Sequence, residues 1–230
     1  MRIIALILIM ALMPGVLSAE ETPRRLTLVG TGSVFVAPDM ATVSLGVSSL
    51  KKKASEAMQA NSAVMGRVFE QLMAAGIKPR DIQTSQLSLN PRWASRNNNN
   101  TPPRIIGYQA VNTVTVRVRV VDRVGAILDV LTKVGANRIN SIRFGIQTPR
   151  PHQDEARRRA VKDARAKAGL YAKAAGVELG RIISITENGG SPQPRKMVRM
   201  EMAAMASDVL PVAGGELKLR SSVTLVFEIK

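Results

Sequence analysis

Residues 26 to 49 read LTLVGTGSVFVAPDMATVSLGVSS. Apolar residues alternate with small or polar ones on both sides of Ala37-Pro38-Asp39. That period belongs to half-buried strands, so the stretch predicts two strands, residues 26 to 36 and 41 to 49, joined at a Pro-Asp corner. Such strands need a second layer to cover their apolar face, and the chain supplies one. Ala54, Ala57, Met58, Val64, Met65, Val68, Phe69, Leu72 and Met73 recur at helical spacing until Gly76 closes the segment.

Further on, residues 81 to 90 and 105 to 121 predict strands. In the second, Val114, Val116, Val118 and Val120 alternate with Thr and Arg; between the two, RNNNNTPP (96 to 103) is a turn-prone polar tip. Val124, Ile127, Leu128, Leu131 and Val134 mark a second helix ending at Gly135, and residues 138 to 147 a strand. After Pro149 and Pro151, EARRRAVKDARAKAGLYAKAAG (155 to 176) predicts a third helix closed by Gly176. A strand at 181 to 187, a Met/Pro/Gly-rich loop at 189 to 215 and a final strand at 217 to 229 complete the chain.

An internal echo links these elements. AAGIKPRDIQ (74 to 83) resembles AAGVELGRII (174 to 183), and KVGANRINSI (133 to 142) repeats the theme more weakly. Each time a helix stops at Gly and a strand follows a few residues later. The expected fold class is therefore α+β, with antiparallel or mixed sheets and about three helices packed on them, built from recurring αβ units. The spacing is irregular, which excludes a solenoid.

Composition sets the compartment and removes whole classes of chemistry. Arg2, the apolar run 3 to 13 and Ala19 before Glu20-Glu21 form a short positive segment, a core too short for a comfortable membrane span, and a small-residue cut site. Residues 1 to 19 are expected to be a cleaved signal peptide, leaving no transmembrane span, with 24 to 230 as one domain. Zero cysteines exclude a disulfide framework, a thiolate metal site and a cysteine nucleophile, although export implies an oxidising compartment. One Trp, two Tyr and four Phe leave the core to Val, Ile, Leu, Met and Ala, a composition suited to helices lying close on sheets.

The full chain carries 33 Lys/Arg and 17 Asp/Glu, and loss of Arg2 with the signal leaves net +15. Much of this charge sits on the third helix. There Glu155, Arg159, Asp163 and Lys167 follow at i,i+4 with alternating sign, as in a solvent-exposed ion-pair ladder. Ala156, Ala160, Ala164, Ala168, Ala172 and Ala175 make a small-residue stripe that lets the helix sit close on a sheet. Arg157, Arg158, Lys162 and Arg165 have no obvious acidic partner in the sequence, and Asp154 with Glu155 suits the positive end of the helix dipole. The basic face is expected to be a solvated helix back, with weak contact to anionic envelope components as the alternative. Nucleic acid is not an expected partner, since no recognised binding pattern accompanies the charge.

Catalytic patterns are absent. In Gly30-Thr31-Gly32, Phe35 stands where a dinucleotide motif needs its third Gly, and a strand rather than a helix follows. His152 is the only histidine and reads as a helix-start residue; Asp39 reads as a backbone cap in the Pro-Asp corner. Met197, Met200, Met202 and Met205 form MxxMxMxxM, thioethers at a spacing able to hold Cu(I) or to act as an oxidant sink, against the plainer role of covering an apolar surface. No cofactor is expected. The strand at 105 to 121 is long and β-branched, with Arg117 and Arg119 opposite Val116, Val118 and Val120, and is expected to pair with another copy if its edge is free.

VGTGSVFVAPDMATVSLGV, AAGIKPRDIQT, IIGYQAVNTVTVRVR, EARRRAVKDARAKA, AAGVELGRIISITE and VTLVFEIK, in that order, resemble the SIMPL-domain family of bacterial envelope proteins, most closely its periplasmic immunogenic protein members. The resemblance implies an exported α+β protein without an established catalytic site or cofactor, linked in some members to oxidative-stress tolerance. It implies fold-determining roles for Gly30, Gly32, Pro38, Asp39, Gly107, Tyr108, Glu155, Ala156 and Arg157. The expected function is a non-enzymatic periplasmic envelope protein, homo-oligomeric, with or without outer-membrane association, supporting envelope integrity or oxidative-stress tolerance. The alternative is a metal- or oxidant-buffering protein using the Met-rich loop.

Overall fold

The structure, a computed structural model, describes residues 24–94, 103–189, 195–197 and 212–230. The alternating stretch forms β1 (Arg25–Val36) and β2 (Met40–Lys51), but the two strands part at the Pro-Asp corner into different sheets. β2 joins β3 (Ile82–Trp93), β4 (Ile105–Val118) and β5 (Arg138–Gly145) in the order β3-β4-β2-β5, while β1 joins β6 (Leu179–Glu187), β7 (Arg195–Met197) and β8 (Glu216–Ile229), with β8 in the middle.

Three helices cover these sheets. α1 (Ala54–Ala74) connects β2 to β3, α2 (Val124–Lys133) connects β4 to β5, and α3 (Arg150–Ala175) leads from one sheet to the other. Each of the first two crossovers leaves one strand's width open, and an antiparallel strand fills it. The result is the β-α-β-β-α-β order of the ferredoxin-like split βαβ motif. Every strand pairing is antiparallel, which removes the mixed-sheet alternative: the parallel partners β2 and β3 are kept apart by β4, and β4 and β5 by β2.

The echo in the sequence corresponds to one repeated cap. After α1, α2 and α3, Gly76, Gly135 and Gly176 all take positive φ, a conformation that glycine adopts without strain. The amides of Ile77, Ala136 and Val177 then donate back to the carbonyls of Leu72, Leu131 and Ala172, and the glycine amides to Met73, Thr132 and Lys173. This is the Schellman arrangement three times over. It satisfies the last helical carbonyls and turns the chain toward the next strand.

Two cores follow from the two layers. Ala41, Val43, Leu45 and Val47 of β2 and Val114, Val116 and Val118 of β4 pack under Met65, Val68 and Leu72 of α1 and Ile127, Leu128 and Leu131 of α2. On the other sheet, Val223, Leu225 and Phe227 of β8 pack under Ala160, Ala164 and Ala168 of α3. The alanine stripe thus faces a sheet as expected. What lets it approach is the Gly30/Gly32 pair of β1: a Cβ on Gly30 would overlap the Ala160 carbonyl and lie 2.6 Å from the Ala164 methyl, and one on Gly32 would overlap the Ala156 carbonyl. The motif that resembles half of a dinucleotide loop is a helix–strand contact.

Candidate functional site

Strand edges are where this fold either guards itself or offers a surface, because unpaired N–H and C=O groups there can accept another chain. β1 is an edge strand, and α3 closes it. Asp163 Oδ2 accepts from the Thr31 amide at 2.8 Å, Arg159 Nη1 donates to the Ser33 carbonyl at 2.8 Å, and Lys167 Nζ donates to the Val29 carbonyl at 3.1 Å. The i,i+4 ladder expected to be merely solvated therefore serves as a surrogate strand. Its charges are spaced at one helical turn, and that spacing reaches alternate outward groups of the strand.

The pairing also accounts for the electrostatics. The Lys167 ammonium, and after it the Thr31 amide, hold the Asp163 carboxyl below its ordinary range; hydrogen bonds from Arg158 and Arg159 do the same for Glu155. Arg157 and Arg158 are not unpartnered as the sequence suggested. Arg157 bridges Asp154 and Glu187 of β6, and Arg158 meets Glu155 at 3.0 Å. Because α3 begins at Arg150, Asp154 and Glu155 lie beyond its first turn and pair with arginines instead of complementing the helix end. A second guard is Asn137, which exchanges two hydrogen bonds with the Ser48 backbone and extends the β5 side of β2 by one place.

β3 has no such guard among the described residues. It pairs only with β4, and most of its side chains are exposed. The free-edge role expected for residues 105 to 121 passes to it, since β4 runs in the interior between β3 and β2. The first two residues of β4 are exposed, and at this end of the sheet Leu50, Leu87, Leu89, Trp93, Ile105 and Ile106 are each 40 to 60% exposed. Five of these lie on the β3–β4 hairpin, more than the scattered singles of an ordinary surface, while Leu50 stands on β2 opposite Gln109 and so on the other face from Leu89, which stands opposite Ala110. β5 and β6 also have an open edge, but β5 is short and carries Arg138 and Arg143, and β6 is broken by two register shifts. The surface is defined by the β3 edge and by the apolar residues beside it.

A second polar cluster holds the junction of the sheets. Asp81, its side chain only 3% exposed, takes a two-pronged contact from Arg119 at 2.7 and 2.9 Å. Gln147 joins it: its amide donates to Asp39 Oδ1 at 2.7 Å and its side chain to the carbonyls of Asp39 and Arg119. Asp39 thus caps a backbone amide from its corner, but the amide is that of Gln147, 108 residues on, and not one of the turn itself. Hydrogen bonding from Arg119, aided by its charge and those of Arg80 and Arg117, outweighs burial and holds the Asp81 carboxyl below its ordinary value.

A depressed carboxyl contributes stability above its unfolded pKa and loses it as pH falls through the folded one. Asp81→Asn should cost about 1.5–3 kcal/mol near neutral pH, toward the lower end because the half-exposed arginine rehydrates when freed. The difference from wild type should shrink as pH drops below about 4, the ordinary aspartate range. Urea melts of both proteins across pH 3 to 7 check this, and a pH-independent difference contradicts it.

The remaining expected sites fall as follows. His152 lies in the first turn of α3. Met197 is in β7, its backbone opposite Glu216, while Met200, Met202 and Met205 lie outside the described residues. No group of three His, Cys, Asp or Glu side chains converges on a point among the described residues. No helix among them is long and apolar enough to cross a membrane. Gly107 belongs to the same set of close approaches as Gly30 and Gly32, since a Cβ there would lie 2.8 Å from the Lys51 carbonyl.

The fold and its edges define an α+β protein of two antiparallel sheets, one of them ferredoxin-like. The chain belongs to the SIMPL family, described as a protein of unknown function (DUF541), which matches residues 26–227. It is 39% identical over 214 residues to the 26 kDa periplasmic immunogenic protein of Brucella melitensis, covering 90% of this chain and 86% of the relative. It is 32% identical to the uncharacterized protein YggE of Edwardsiella ictaluri, over 83% of this chain and 80% of that one. Its identity to YggE of Escherichia coli K12 is 29%, over 100% and 94% of the two chains.

Proposed function

We propose that the mature chain is a non-enzymatic periplasmic protein that self-associates through the β3–β4 hairpin and in that form supports the integrity of the cell envelope, including under oxidative stress. The observation that carries the proposal is the unguarded edge of β3 with five exposed apolar side chains on the β3–β4 hairpin, when the β1 edge of the other sheet is sealed by three side chains of α3. The proposed cut after Ala19 precedes β1, which begins at Arg25, and the name of the Brucella relative supports the periplasm as its place. Closed symmetry is the usual outcome when identical edges pair, so a defined assembly is expected in preference to a continuum. The net charge of +15 opposes it at low ionic strength, and added salt should strengthen it.

Light scattering on protein isolated from the periplasm, its N-terminus sequenced, tests both parts. A chain beginning at Glu20 that forms one defined oligomer at moderate salt, and that becomes monomeric when Leu87 and Leu89 are replaced by Glu, is the expected result. A wild-type monomer at tens of micromolar overturns the assembly, and full-length chain in the cytoplasm overturns the compartment.

A further inference from the structure

At the end of the ferredoxin-like layer farthest from the β3–β4 tip, two depressions meet. One, of about 140 Å³, lies between α1 and α2 and is walled mainly by Ala75, Ala126, Ile127, Val130 and Leu131, with Gln71 as its one uncharged polar side chain. The other, of about 90 Å³, opens beside it over Lys78, Asp81, Arg117 and Arg119. Arg123 and Ile127 line both, so an apolar trough runs directly into a cationic mouth.

The charge at that mouth is not neutralised. Four cations, Lys78, Arg117, Arg119 and Arg123, face one carboxylate. Asp81 is committed to Arg119, and Arg119 spends its third nitrogen on Gln147. Arg117 reaches Asp81 only at 3.9 Å and is half exposed. Arg123 gives one nitrogen to the Ala75 carbonyl at the end of α1, which pins the guanidinium at the point where trough and mouth join, and its other donors meet no acceptor among the described residues. Lys78 makes no ion pair among the described residues. Donors of this kind, fixed at the end of an apolar channel, suit a ligand with a negative head and a hydrocarbon tail, and a guanidinium matches a carboxylate through two parallel N–H groups.

We propose that this junction binds a monoanionic amphiphile of the fatty-acid type, its carboxylate against Lys78, Arg117 and Arg123 and its short alkyl chain between α1 and α2. A free phosphate would use the mouth and leave the trough empty; an alcohol of the same chain length would use the trough and leave the cations without a counter-ion. The site is separate from the β3 edge and does not depend on self-association.

Octanoate is the probe, with octanol and inorganic phosphate as its two halves. In methyl spectra of the mature protein labelled at Ile, Leu and Val, octanoate should move Ile127, Val130 and Leu131, with a Kd of about 1 mM as expected for a ligand of this size. Octanol should bind at least about tenfold more weakly, and phosphate should leave those methyls in place. Replacing Lys78 and Arg117 together by Gln should weaken octanoate by at least about tenfold, since each loses a charged contact. Val130→Glu, at an exposed position, should weaken it also without disturbing the fold. Equal binding of octanol and octanoate, unchanged binding by the double variant, or no movement of the three methyls up to about 10 mM octanoate overturns the proposal.

Discussion

Gly32→Ala should lower the stability of the mature chain by about 3 kcal/mol, at the upper end of what overpacking costs, because the new methyl meets backbone and not a movable side chain. It would overlap the Ala156 carbonyl, stand beside the Ala160 amide, and lie 2.7 Å from the Arg159 Cβ. Relief requires lifting α3 off the sheet, which also stretches the Arg159, Asp163 and Lys167 contacts that seal β1. Gly30→Ala should behave alike. The control is inside the same helix: a Cβ on Gly169 meets nothing within 4 Å, so Gly169→Ala should stabilise by about 0.5–1 kcal/mol through helix propensity alone. Urea unfolding of the three variants measures the difference in sign. Equal effects at Gly32 and Gly169 would remove the close contact as the reason for the glycines.

The second large effect contrasts two residues that are partners across one strand pair. Leu225 of β8 and Ile185 of β6 stand opposite each other, yet Leu225 is fully buried under α3 and Ile185 is 59% exposed. Leu225→Ala should cost about 2–5 kcal/mol, the lost transfer energy plus a cavity that the alanine stripe of α3 is too rigid to fill. Ile185→Ala should stay within about 0.5 kcal/mol. Thermal melts of both check the prediction, and a cost at Ile185 above that at Leu225 would show that the helix covers β6 in preference to β8.

These contrasts separate what local pattern carries from what it does not. The strands at 26 to 36 and 41 to 49, the three helices and their Gly stops were legible because period and glycine act within a few residues. The third helix was placed five residues late: Pro149 and Pro151 read as breakers, yet proline is at home at a helix N-terminus, where its missing amide needs no partner. The alanine stripe of α3 was legible as a contact face, but its counterpart, Gly30 and Gly32, stands more than 120 residues earlier and carries no periodic mark of its own.

The surface proposed for assembly was half legible. Length and β-branching singled out residues 105 to 121, but whether a strand is an edge depends on which partners flank it, and β4 acquired two. The Asp81–Arg119 contact was missed altogether. Its acid sits in a short turn after α1 and its base follows β4, 38 residues on, with no spacing rule connecting them.

By itself, then, the sequence determined the alternation and helical periods of its elements, the three glycine-closed helix ends, the cysteine-free core and the basic balance, since each is a property of neighbouring residues or of composition. The tertiary structure alone decided that β1 and β2 part into separate sheets, that the Glu155-to-Lys167 ladder seals an edge, and that β3 is left open beside an apolar hairpin. Those outcomes depend on which distant backbone groups find partners. An antiparallel sheet settles them only when every strand has taken its place.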